Sequence, residues 1–62
     1  MIEVTPETFR QLLNDDHFIS RERHETYEKA YYYNEDLGQR GFWIFNYVSS
    51  KYGNYYLEDI NA

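Results

Sequence analysis

Ser20-Arg21-Glu22-Arg23-His24-Glu25-Thr26-Tyr27-Glu28-Lys29-Ala30-Tyr31-Tyr32-Tyr33-Asn34-Glu35-Asp36-Leu37 is the stretch that decides the fold, because it satisfies two incompatible periodicities. Read as a helix, it has Ser20 as N-cap and strong helix formers in Arg21, Glu22, Arg23, Glu25, Glu28, Lys29 and Ala30. It also has a Glu25 to Lys29 pair at i, i+4 and Gly38 as the residue beyond the C-cap. Read as a strand, it sets Tyr27, Lys29, Tyr31 and Tyr33 on one face, and three consecutive tyrosines favour extended backbone. The capping and propensity signals favour the helix. In the competing case residues 34–41 become a hairpin connection and the sheet gains a third strand.

The segment before it is less ambiguous. Thr5 suits an N-cap, Pro6 the first helical position and Glu7 the positive end of the helix dipole. Val4 and Phe9 have the spacing of a hydrophobic staple. Phe9, Leu12 and Leu13 then form one apolar stripe, which predicts a helix from Pro6 to about Asn14, ended by Asn14, Asp15 and Asp16. Phe18 and Ile19 make a short apolar island expected to enter the core.

After Gly41 the pattern is β. Phe42 to Ser49 and Asn54 to Ile60 are dense in aromatic and β-branched residues, and Ser50, Lys51, Tyr52 and Gly53 suit a hairpin loop in which Gly53 supplies a positive φ. Gly38, Gly41 and Gly53 are all assigned to turns. Phe42, Ile44, Asn46 and Val48 share one face of the first strand and Trp43, Phe45 and Tyr47 the other, so neither face is plainly polar. One packs on the N-terminal helix and the other is left for a second protein. The fold class expected is α+β: a small single-layer antiparallel β-hairpin or three-stranded sheet packed against one or two short helices. Sixty-two residues without a cysteine make one small domain, residues 1–62, stabilised by aromatic packing or by a partner.

Eleven acidic residues against 6 basic ones leave a net charge of −5 and a pI near 4.7. A field of that sign repels phosphate and attracts basic surfaces. An aromatic sheet that stacks bases also needs a cationic groove, and here the basic residues are few and scattered, so direct nucleic-acid binding is not expected. No secretory signal stands at the N-terminus, and Phe42 to Phe45 is far short of a membrane helix, so no membrane association and a cytoplasmic location are expected.

The residues of chemical interest lack a reactive arrangement. Gly38 and Gly41 precede a strand rather than a helix, so they form no phosphate loop. Ser49 and Ser50 have no nucleophile-elbow context. Asp15, Asp16 and His17, with His24 and Glu25 beyond, match no zinc spacing. Paired carboxylates at Glu35/Asp36 and Glu58/Asp59 would need a cleft that so short a chain seldom builds. The expectation is therefore no enzyme, no cofactor and no metal.

Eight tyrosines are the unusual feature. Phe9, Leu12, Leu13, Phe18, Ile19, Phe42, Trp43, Ile44, Phe45, Val48, Leu57 and Ile60 already suffice for a small core, which leaves tyrosines for a binding face. The expected function is that of a small acidic protein-protein interaction module, an inhibitor occupying a basic, nucleic-acid-binding surface of a target. In the helical reading its carboxylates are spaced to imitate DNA phosphates. By analogy of size and charge alone, such proteins are typical of phage-encoded inhibitors acting in a host cytoplasm. The partner-binding residues so assigned are Asp15, Asp16, Glu25, Glu28, Tyr32, Glu35, Asp36 and Tyr55. The alternative is a self-associating structural or regulatory subunit, a homodimer through aromatic strands with no nucleic-acid-related target.

Overall fold

The Thr5 hydroxyl accepts the Thr8 N–H at 3.2 Å, so the first helix begins where its cap places it. In the computed structural model, which describes residues 1–49 and 53–58, this helix, α1, spans Pro6–Leu12 with Pro6 in its first turn. A 3-10 turn at Asp15–His17 follows. Asn14 caps it: its Oδ1 accepts from the Asp16 N–H at 2.9 Å, and its own N–H donates to His17 Nδ1 at 3.0 Å.

The remaining elements are strands: β1 (Ile2–Val4), β2 (Phe18–Arg23), β3 (Tyr27–Asn34), β4 (Gln39–Asn46) and β5 (Tyr55–Glu58). They form one five-stranded sheet in the order β1-β5-β4-β3-β2, and every neighbouring pair is antiparallel. The chain starts at one edge, crosses a face of the sheet through α1, and reaches the far edge as β2. It then meanders back until β5 lies beside β1. Among the described residues no helix is long and apolar enough to cross a membrane.

Residues 20–37 are therefore two strands and their turns rather than a helix, and the sheet has five strands instead of two or three. The reason lies in burial. A helix from Ser20 would begin with seven residues, through Thr26, that have no apolar side chain to bury, and short helices gain most of their stability from such a face. As a strand, β3 buries Ala30 completely and sets eight residues opposite β4, from Tyr27 facing Asn46 to Asn34 facing Gln39. The three-residue β1 escapes a sequence reading because only its pairing with β5 makes it a strand.

Other expectations change for related reasons. The β2–β3 register shifts between Phe18 and Ser20, a bulge at the sheet edge. Phe18 and Ile19 are 45% and 58% exposed, and Val48 lies at 78% in the turn after β4, so none of the three is core. The expected hairpin forms, with β4 starting earlier and ending at Asn46, while Ile60 and the loop residues 50–52 lie outside the described residues.

Two glycines have roles other than those assigned to them. Gly41 lies inside β4, where a Cβ would stand 2.5 Å from Leu13 Cδ1 and 2.7 Å from the Tyr56 carbonyl oxygen, so its missing side chain lets α1 approach the sheet. Gly53 has no positive φ. It is required there because its backbone crosses against the Ile44 carbonyl, leaving no room for a Cβ. The positive φ belongs to Gly38, at +62° in the β3–β4 turn.

Asn34 ties that turn to the helix. Buried at 8% exposure, it donates from Nδ2 to the Leu12 carbonyl at 2.8 Å. Its Oδ1 accepts the Asp36 N–H at 3.0 Å and the Leu37 N–H at 3.3 Å. Phe9 and Leu13 are buried on the helix side of the sheet, with the Phe9 ring 5.3 Å from Tyr32 and 5.1 Å from Tyr55.

Candidate functional site

Residues opposite one another in an antiparallel ladder share a face, so the register sorts every side chain. The face under α1 carries Glu28, Ala30, Tyr32 and Asn34 from β3, Trp43 and Phe45 from β4, and Tyr55 and Leu57 from β5. The opposite face carries Tyr27, Lys29, Tyr31 and Tyr33 from β3, Arg40, Phe42 and Ile44 from β4, and Tyr56 and Glu58 from β5. Among the described residues no element covers this second face.

The open face is organised around Phe42. Tyr31, Phe42 and Tyr56 lie in one cross-strand row over β3, β4 and β5, with ring centroids 6.0 Å and 5.1 Å apart. Lys29 Nζ sits 5.2 Å over the Phe42 ring, and between it and the two flanking tyrosines Phe42 is 6% exposed although no element among the described residues covers it. Arg40 lies over Tyr33 at 5.3 Å, a cation–π arrangement like that of Lys29.

A hydrogen-bonded chain closes one margin of this face. The Tyr31 hydroxyl donates to Glu22 Oε2 at 2.8 Å. His24 Nε2 lies 2.9 Å from Glu22 Oε1, and its ring stacks on Tyr27 at 4.4 Å. The Tyr31 hydroxyl, with His24 second, holds the Glu22 carboxyl below its ordinary range. The same bond, through the carboxylate that accepts it, raises the Tyr31 phenol above its own.

A groove of about 560 Å³ lies on the other side, where α1 leaves part of the sheet uncovered. Its apolar lining includes Phe9, Leu13, Tyr32, Trp43, Phe45 and Tyr55, and Asp15, Arg10 and Glu28 border it. Trp43 Nε1 donates to the Tyr32 hydroxyl at 3.1 Å and fixes both rings in the wall. Glu28 is held by Arg21 Nε at 3.3 Å and Arg23 Nε at 3.9 Å.

The groove brings together Asp15, Glu28, Tyr32 and Tyr55 of the residues assigned from sequence. Tyr32 and Tyr55 pack on Phe9 rather than standing free. Asp16 lies exposed in the 3-10 turn, Glu25 in the β2–β3 turn, and Glu35 and Asp36 in the β3–β4 turn. Glu25 and the Glu35/Asp36 pair therefore sit at opposite ends of β3, about 25 Å apart at some 3.4 Å per residue. The helical ladder on which their spacing was argued is absent. The residues not assigned from sequence are Tyr27, Tyr31, Tyr33, Phe42 and Tyr56, and the signal that marks them is the period-two alternation of the strand reading.

Among the described residues no group of three or more His, Cys, Asp or Glu is placed to hold a metal ion. Compared with protein-family models, curated proteins and solved structures, this chain matches none.

Proposed function

We propose that this protein is a non-catalytic, acidic interaction module that occupies a basic surface on another protein. The observation that supports it is how the charges are used. The cations Arg21 and Arg23 are drawn to Glu28, while Lys29 and Arg40 lie over rings of the open face. Among the described residues Arg10 alone of the lysines and arginines lacks such a contact. By contrast Glu7, Asp15, Asp16, Glu25, Glu35 and Asp36 are exposed, and no ion pair joins them to a cation among the described residues. The net −5 is thus displayed at the turns and the helix, where it steers a basic partner. The aromatic groove beside Asp15 supplies the place for an apolar anchor from that partner.

Inhibition of a nucleic-acid-binding target is the finer form of this reading, supported by the charge and size of the chain. It does not depend on a regular carboxylate ladder, since separate acidic corners can each meet a basic group. The test is affinity capture with the parent and with an Asp15→Asn, Asp16→Asn, Glu35→Gln, Asp36→Asn variant, at low and at moderate salt. Parent complexes should weaken steeply as salt rises, and the variant should lose most of its binding while circular dichroism shows the fold intact. Equal binding and an equal salt slope for the two proteins would refute the reading.

A further inference from the structure

We infer that the open face is the interface of a homodimer in which two sheets pack face to face. This stands apart from the charge-directed function above, which uses the turns and the helix side.

The first observation is that, among the described residues, the architecture lacks a layer. A sheet with an apolar face buries it against another element, and here a seven-residue helix covers one side only. The other side presents the Tyr31, Phe42 and Tyr56 row with Tyr33, Tyr27 and Ile44 around it. Tyrosine combines a large ring with a hydroxyl that remains satisfied in water or at a contact, the chemistry enriched at protein interfaces.

The charges on this face indicate which partner fits. Lys29 and Arg40 stand there with Glu3, Glu22 and Glu58, so the face is close to neutral although the chain carries −5. A strongly basic surface would meet Lys29 and Arg40, and a strongly acidic one would meet the three glutamates. A second copy related by a two-fold axis offers both signs to both signs.

Area is consistent with that partner. Five strands about 4.8 Å apart, with central strands of about 25 Å, give a footprint on the order of 500 Å² per copy. The pair then buries roughly 1,000 Å² or more, at the threshold of a specific interface. Edge pairing is the poorer route. The aromatic strands β3 and β4 lie inside the sheet. The exposed edge strand β2 carries Arg21, Glu22 and Arg23, and self-pairing centred on Arg21 or Glu22 would set like charges opposite one another, which repel.

The experiment is sedimentation equilibrium of the full chain from about 1 µM to about 500 µM, a range that reveals micromolar dissociation constants. It is paired with tyrosine nitration of the unmodified protein at both ends of that range. The mass should rise from 7.7 kDa toward twice that value, and nitration of Tyr33 and Tyr56 should fall at least several-fold as it does. Arg40→Glu, at an exposed position, leaves Lys29 facing four carboxylates and should weaken the dimer tenfold or more. Gln11→Glu on exposed α1 should not change it. The four-carboxylate variant described above should dimerise like the parent, so failure of the charge reading leaves this result unaffected. A chain that stays monomeric throughout overturns the inference. So does a dimer that leaves Tyr33 and Tyr56 as reactive as in the monomer, or one indifferent to Arg40→Glu.

Discussion

Replacing Gly41 with Ala sets two effects of opposite sign against each other. By local rules the change should help, because glycine inside a strand is entropically costly and its removal stabilises by about 0.4–1 kcal/mol where the backbone accepts alanine. The tertiary structure opposes this. The added methyl would lie 2.5 Å from Leu13 Cδ1, 2.7 Å from the Tyr56 carbonyl oxygen and 3.1 Å from Phe9 Cε2, against about 3.5–4.0 Å for a relaxed contact. Leu13 would have to retreat by about an ångström from a packed position that is 1% exposed. The Tyr56 oxygen is backbone, in a residue paired with Phe42, so it does not rotate away. Overpacking of this kind costs about 1–3 kcal/mol, which leaves a net loss of about 1–2 kcal/mol after the entropic gain. In a domain this small that lowers the melting temperature by roughly 4–8 °C per kcal/mol. Urea unfolding followed by Trp43 fluorescence reads the change directly. Leu13→Ala should be partly compensating: the double variant should be more stable than the sum of the two single losses predicts. A Gly41→Ala variant as stable as the parent, or more so, would refute the claim that Gly41 exists to let α1 dock.

Asn34→Ala removes three hydrogen bonds at once and should cost about 2–4 kcal/mol in the same urea assay, since the Leu12 carbonyl and two turn N–H groups lose their partner. Tyr55→Ala should also destabilise, by about 2 kcal/mol or more, because its ring packs on Phe9; an unchanged melting temperature would mean that it is not part of the core. The Glu22–Tyr31 bond predicts two pH limbs. Glu22 is held below its ordinary value near 4.5, so its contribution is complete above that pH and disappears as the carboxyl protonates on the way down through its lowered value. Tyr31 is raised above its ordinary 10.0, so its contribution is complete below that pH and is lost as the phenol ionises above it. Tyr31→Phe should flatten both limbs of the stability profile, and ultraviolet titration of the phenolate band should lose a tyrosine that ionises above the ordinary 10.0.

Where a signal is local, the sequence was sufficient. Thr5, Pro6 and Glu7 mark the start of α1 within a single turn, because capping, the missing proline N–H and the helix dipole act over a few residues. The aromatic and β-branched density after Gly41 likewise announces the hairpin of β4 and β5, and the count of acidic residues establishes the net charge. Residues 20–37 were different, since Arg, Glu, Lys and Ala support a helix locally while Tyr27, Lys29, Tyr31 and Tyr33 alternate as a strand. Only pairing with β4 and burial of Ala30 decided between them, and both depend on residues distant in the chain. The same holds for β1, which needs β5 to exist, and for Gly41, whose lack of a side chain matters only once Leu13 and Phe9 lie over it. Which tyrosines remain available is tertiary as well: Tyr32 and Tyr33 are neighbours in sequence, but the pleat sends one under the helix and the other to the open face. Composition therefore announced a surplus of aromatic surface, and the path of α1 across one side of the sheet determined where that surplus lies.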